Sequence, residues 1–186
     1  MTFLGSLLFA LLAGLRVRQV ASTGDLLTLF LGVQAGMAAV LLVVRRKEGR
    51  GAPLGQQAVA WVAALLPFLM RSGGLMDLPA ARFLSGLGLV LAVWSLATLG
   101  KSFGISPADR GLVVKGPYRW IRHPMYLGEL VSYLAFCLAW PGIWNFALFF
   151  VLFAAVLLRV RWEEALVSGY AEYARDTHWR LIYGVW

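Results

Sequence analysis

MYLGELVSYLAFCLAWPGIWNFALFFVLFAAVLL, residues 125–158, holds one acidic residue, no basic residue and a Pro141-Gly142 pair near its middle. A helix crossing a bilayer needs about 20 predominantly apolar residues, so this stretch is too long for one crossing and suits two. Pro-Gly is a turn pair. The stretch therefore reads as a helical hairpin with arms of roughly Pro124 to Trp140 and Ile143 to Leu158. Trp140 and Trp144 flank the turn, as expected where a hairpin tip meets lipid headgroups.

Outward from the hairpin, further apolar runs cover Met1 to Leu15, Leu26 to Val44, Ala58 to Met70 and Ala80 to Leu99. The second and fourth runs match one crossing each. The third is short unless it continues past Arg71 toward Met76 with the arginine snorkelling. The first reads as a short spanning or half-spanning helix, not as a cleaved signal peptide, because it lacks a basic leading segment. With 60% hydrophobic and 14% charged residues in 186 and a mean hydropathy of +0.74, the chain carries more apolar side chain than a water-soluble domain of its size can hide. The expected architecture is an all-α polytopic bundle of five or six transmembrane helices, a single membrane domain over residues 1–186. Residues 1–99 supply the first helices; 100–186 supply a loop, the hairpin and a tail.

The formal charge of +8 does not form the continuous basic stripe of a nucleic-acid binder. Instead the cations fall between apolar runs. Arg45, Arg46, Lys47 and Arg50 follow the second run; Lys101, Arg110, Lys115, Arg119 and Arg122 follow the fourth; Arg159, Arg161, Arg175 and Arg180 follow the hairpin. Alternating crossings put all three groups on one side, which the positive-inside rule makes cytoplasmic. Gly73 to Asp77 and the hairpin tip then face outward. Arg16 and Arg18 oppose this scheme if the first run crosses fully. The single cysteine, Cys137, reads as a small core residue and offers neither a disulfide nor metal-ligand spacing; no metal is expected.

Chemistry-bearing residues concentrate in two segments, Lys101 to Gly128 and Arg159 to Trp186. Gly116-Pro117 marks a turn, and Pro124 suits the first position of a helix, so Arg122 and His123 lie at a helix start on the membrane surface, where amides attract an anionic group. Helical spacing from Tyr126 brings Glu129, Leu130, Tyr133 and Cys137 to one face, which puts a carboxyl group inside the hairpin. Arg159 and Glu163 share a helix face at i,i+4. Tyr170, Tyr173, His178, Trp179 and Trp186 give the tail enough rings to act as a lid. Plainer readings exist: headgroup anchoring for Arg122 and His123, a surface ion pair for Arg159 and Glu163, core or interfacial packing for the tyrosines, and lipid phosphate for Lys101 and Lys115.

These segments resemble the isoprenylcysteine carboxyl methyltransferases and their relatives, the phospholipid N-methyltransferases. The likeness runs over about residues 90–186 and rests on Leu112-Val113, Gly116-x-Tyr118, Arg122-His123-Pro124-x-Tyr126-x-Gly128, Arg159, Glu163-Glu164, Tyr170 and Tyr173. The resemblance implies S-adenosylmethionine bound without a Rossmann domain, between the loop before the hairpin and the tail after it. Cofactor contacts would come from Arg110, Leu112, Val113, Tyr118, His123, Pro124, Tyr126 and Glu163, with Arg159 facing the acceptor. The chain departs from the pattern at Arg110, where relatives can carry histidine, in a shortened Glu164–Tyr170 spacer, and at Tyr183, where a proline is common.

Methyl transfer from a sulfonium needs position and electrostatics more than a protein nucleophile. A carboxylate acceptor would be oriented by Arg159, whereas an amine or thiol acceptor needs a base, Glu129 or Glu164. Arg159, Glu163 and Glu129 are thus the expected catalytic set, and the expected substrate is a lipid-like or prenylated amphiphile reaching the site from the bilayer. Carboxyl O-transfer leads, with N- or S-transfer as alternatives. An NADPH-dependent sterol-reductase-like enzyme and a non-enzymatic scaffold are the competing classes. Size and the preference for Arg over Lys suit a prokaryotic inner-membrane protein. Oligomeric state is not readable.

Overall fold

The structure is a computed structural model that describes residues 2–23, 26–73 and 78–186. Among these, seven α-helices make the fold: α1 Thr2–Thr23, α2 Leu26–Val44, α3 Leu54–Leu65, α4 Pro79–Leu99, α5 Pro124–Ala139, α6 Ile143–Leu166 and α7 Tyr170–Asp176. No strand forms among the described residues; a lone antiparallel bridge joins Gly51 and Ala108. Phe3–Ala21, Pro79–Ser102 and Ile143–Leu166 are long and apolar enough to cross a membrane, and Thr28–Val44, Leu54–Leu69 and Pro124–Ala139 are shorter apolar helices. The result is a helical membrane bundle with six apolar helices among the described residues.

Several boundaries differ from the apolar runs. α1 continues past Leu15 to Thr23. Arg16 does not sit in a loop: it is buried, donating to Gln19 Oε1 at 2.8 Å and to the Phe68 carbonyl at 2.6 Å. Its charge serves the bundle interior, which removes one of the two objections to the orientation. α3 does not extend across Arg71. Pro67 supplies no N–H to continue the α ladder, and the chain tightens into a 3-10 turn over Leu66–Leu69. The expected outward-facing stretch Gly73 to Asp77 lies, apart from Gly73, outside the described residues. α6 runs on to Leu166, eight residues beyond the apolar arm ending at Leu158.

Both ends of the bundle are tied. At the hairpin turn, the Asn145 side chain accepts from the Arg71 amide and donates to the Arg71 carbonyl, each at 3.0 Å, and donates to the Trp140 carbonyl at 2.9 Å. Trp144 donates to the Leu69 carbonyl at 3.0 Å, with Arg71 over its ring. At the opposite end the segment after α2 pairs with the segment after α4. Arg46 N–H meets the Lys101 carbonyl at 2.7 Å, Gly49 N–H the Asp109 carbonyl at 2.9 Å, and Ala52 N–H the Pro107 carbonyl at 3.0 Å. These bonds place the first two basic groups together on one side.

The hairpin arms are not each other's closest partners, since α5 packs most extensively along α4. There the buried Ser85, Gly88 and Ala92 meet the buried Gly128 and Ser132. A Cβ on Gly128 would stand 2.6 Å from the Gly88 carbonyl oxygen and 2.6 Å from the Ala92 nitrogen, so backbone touches backbone. At 16 residues α5 spans about 24 Å, short of a hydrocarbon core of about 30 Å.

Candidate active site

Pro124 opens α5 at its first position and is fully buried, which fixes His123 as the preceding residue at the mouth of a cavity. That cavity is narrow as it stands, about 100 Å³, below the roughly 300–1,000 Å³ of small-molecule sites, so its walls part to admit a ligand of that size. Its walls come from four places: the loop after α4, the start of α5, the last turns of α6, and α7. Arg110, Leu112, Val113, Tyr118, His123, Tyr126 and Glu163 all line it, joined by Tyr170 and Tyr173 of α7. Pro124 does not line it; its part is to start the helix.

Within the cavity Tyr126 donates to Glu163, and His123 Nδ1 lies 3.9 Å from the other Glu163 oxygen. Residues from opposite arms of the hairpin thus meet over one carboxylate. Glu164 points differently. Its oxygens accept from Arg122 at 3.1 Å and from Arg180 at 3.0 and 3.1 Å, and lie 3.4 Å from both His123 Nε2 and the Tyr170 hydroxyl. Two guanidinium groups and the His123 and Tyr170 side chains surround that carboxylate, which makes it a junction between the loop, α7 and the tail.

The amides expected to take an anion at the start of α5 are partly spent. Arg122 N–H donates to the Trp179 carbonyl at 2.8 Å and His123 N–H to the Arg180 carbonyl at 2.9 Å. The tail closes on the loop through these bonds and through Arg122 donating to the His178 carbonyl at 3.0 Å. Of the tail rings, Tyr170 and Tyr173 reach the cavity. His178, Trp179 and Trp186 do not; Trp179 packs on Tyr183, and Trp186 lies under Arg180.

Burial keeps the cavity's phenols protonated. It raises the Tyr118 hydroxyl well above its ordinary value, raises Tyr170, and pushes Tyr173 up to about 12. Tyr173 spends its proton on the Tyr118 carbonyl at 2.5 Å, whereas the Tyr118 hydroxyl is buried with no partner. An orphaned donor aimed at a cavity is a group that a ligand can satisfy.

Several contributors carried no readable signal. Phe103, Gly104, Ser106, Pro107 and Ala108 line the cavity, and Gly104 lets the Arg110 guanidinium lie where a Cβ would otherwise displace it. Glu48, far upstream, pairs with Arg110 at 2.7 Å. Asp109 accepts from the Ser168 hydroxyl at 2.6 Å, which holds its carboxyl below the usual range and ties the loop to the α6–α7 link.

Glu129 and Arg159 line a second cavity, with Gln34, Tyr133 and an apolar wall including Phe9, Leu31, Ala35 and Val156. Phe103 and Met125 belong to both cavities. Arg159 is buried, donates to the Ile105 carbonyl at 2.9 Å, lies over the Tyr126 ring at 4.9 Å, and is 3.8 Å from Glu163. It is therefore no surface ion pair: Tyr126 and Glu163 of the first cavity stand against Arg159 of the second where the two cavities adjoin. Residues 78–172, just over half of the chain, match the phospholipid methyltransferase family. No curated protein matches the chain.

Proposed function

The chain belongs to the phospholipid methyltransferase family, membrane methyltransferases of lipid-like substrates, and on that premise we propose that it moves a methyl group from S-adenosylmethionine to the amine of an amphiphile. The observation that carries this reading is the pair of cavities meeting at Tyr126, Arg159 and Glu163. The first cavity, apolar walls with a few polar groups among them, suits the cofactor. Glu163 offers acceptor oxygens to ribose hydroxyls, Tyr118 has an unpartnered hydroxyl, and Leu112 and Val113 offer apolar walls. The second cavity suits a lipid tail along Phe9, Leu31, Ala35 and Val156, with the reactive end toward Glu129 and Arg159.

The cofactor, when bound, supplies a methyl group on a sulfonium that carries its own leaving group. The chain's residues then hold, orient and deprotonate the acceptor. Arg159 is opposed by Glu163 at 3.8 Å and shares the second cavity with Glu129, so two carboxyl groups face one guanidinium. That balance favours an amine over a carboxylate, and Glu129 takes the proton the amine gives up. Glu164, enclosed by Arg122 and Arg180, is not used as a base. A second reading, O-transfer to a carboxylate as in the isoprenylcysteine enzymes, is favoured by the Arg159 Nε, which is buried and unpartnered. By the basic flank of the cofactor hollow, the site faces the cytoplasm of a prokaryotic cell.

The test pairs calorimetry with turnover on detergent-solubilised protein. S-adenosylhomocysteine should bind, and labelled methyl should pass to an amine-headed lipid in preference to a carboxylate-headed one. Glu129→Gln should lower that transfer about 100-fold or more with cofactor affinity intact. Absence of cofactor binding overturns the methyltransferase reading; preference for the carboxylate, undiminished in Glu129→Gln, overturns the amine assignment.

A further inference from the structure

At the basic end of the bundle, beside but outside the cofactor hollow, α1 and α2 run antiparallel with the Ser6 hydroxyl bonded to the Ala39 carbonyl at 2.7 Å. Between the start of α1 and the end of α2 lies a groove with Phe3, Leu42 and Val43 on its apolar side and Arg45, Arg46, Lys47 and the acidic Glu48 along its rim. Phe3 and Val43 are exposed on the protein surface. α2 ends at Val44, so the three cations follow the last apolar turn directly and stand at headgroup height.

Glu48 is the acidic neighbour that would ordinarily neutralise such a run, and its carboxylate is engaged by Arg110 at 2.7 Å. None of the three rim cations forms an ion pair with a described residue. Only the Arg46 backbone is held, through its bond to the Lys101 carbonyl at 2.7 Å. That bond fixes the direction of the strip without using its charge. The arrangement is two-sided. Apolar surface faces the acyl region, and three uncompensated cations sit above it.

We propose that this groove binds the headgroup of an anionic phospholipid, with the phosphodiester among Arg45, Arg46 and Lys47 and one acyl chain against Phe3 and Val43. Charge complementarity selects the occupant: a zwitterionic headgroup returns its own positive charge to the rim, whereas a net-negative one does not. The site is independent of the acceptor assigned above, because Phe3, Leu42, Val43 and the three cations line neither catalytic cavity.

Native mass spectrometry of protein delipidated in neutral detergent, titrated with phosphatidylglycerol or phosphatidylcholine, tests the assignment. Phosphatidylglycerol should be retained preferentially. The triple variant Arg45→Gln/Arg46→Gln/Lys47→Gln should weaken its retention roughly tenfold or more. A charge-matched control, Lys101→Gln/Lys115→Gln/Arg175→Gln, removes three exposed cations elsewhere in the basic segments and should leave retention within about twofold. Phe3→Ala keeps every charge and should weaken the lipid while leaving competition by inorganic phosphate unchanged. Equal losses in both triple variants would reduce the effect to general surface charge and overturn the site. Retention unaffected by Phe3→Ala but fully competed by inorganic phosphate would make it a phosphate site and not a lipid one.

Discussion

The hydroxyl of Tyr118, a residue lining the first cavity, is buried without a partner among the described residues, and an unmet buried hydroxyl costs about 1–3 kcal/mol. A side chain kept for the fold alone would not hold that group unpaired. Tyr118→Phe should therefore leave the ligand-free protein as stable as the parent or slightly more so by thermal unfolding in detergent. Its affinity for S-adenosylhomocysteine by calorimetry should fall about 2- to 10-fold, the value of one hydrogen bond of roughly 0.5–1.5 kcal/mol. Lower stability with unchanged affinity would assign Tyr118 to packing. At this scale the sequence was informative where chemistry clusters locally: Tyr118, His123 and Tyr126 fall within nine residues, and Arg159 and Glu163 one helical turn apart. Glu48 was not legible as the partner of Arg110, because 62 positions separate them and only the tertiary meeting of two loops makes the pair. Pro124 was assigned to ligand contact because it sits inside the motif, while its effect is on the backbone.

Between elements, the contact of α4 with α5 sets where the site stands, because a shift along it would move His123 and Tyr126 relative to Glu163. Gly88 and Gly128 permit that contact: a Cβ on Gly88 would lie 2.6 Å from the Gly128 carbonyl oxygen and 2.8 Å from the Ser132 nitrogen. Gly86, two residues earlier on α4, has nothing within 4 Å of its would-be Cβ. Gly88→Ala should destabilise by about 1–3 kcal/mol through forced separation of the helices, whereas Gly86→Ala should stabilise slightly through helix propensity. Thermal unfolding of the two variants side by side checks the contrast, and similar shifts would show that the helices can part without penalty. Run lengths identified most of the helices, since a bilayer imposes a length on any apolar segment. They missed the last eight residues of α6, because Arg159, Glu163 and Glu164 end the apolar run without ending the helix. They also made α5 and α6 look like natural mates; small residues on α4 decide the pairing, and hydropathy does not register them.

Across the whole molecule, three basic groups far apart in the chain meet at one end, where loop-to-loop bonds join the first to the second and Glu164 joins the second to the third. The sidedness was legible from charge placement. The means of closure was not, because a single carboxylate flanked by Arg122 and Arg180 looks in sequence like any helix-surface acid. Glu164 connects three parts of the chain: the loop through Arg122, α7 through Tyr170, and the tail through Arg180. Arg122 is buried, while Arg180 is about one-third exposed, so solvent screens part of the junction and its loss is smaller than that of a fully buried network. Glu164→Gln should still release the tail locally, since the amides of Arg122 and His123 are protected by the Trp179 and Arg180 carbonyls. Hydrogen exchange over residues 119–125 should then rise about tenfold or more, while exchange within α4 stays at the parent level. The cofactor analogue should dissociate faster without a comparable change in its association rate, because Arg122 and His123, which line the cavity, lose their anchors on the tail. Unchanged exchange in that stretch would mean that the backbone bonds alone hold the tail, and would move the closing function from Glu164 to the Tyr170 and Tyr173 contacts of α7.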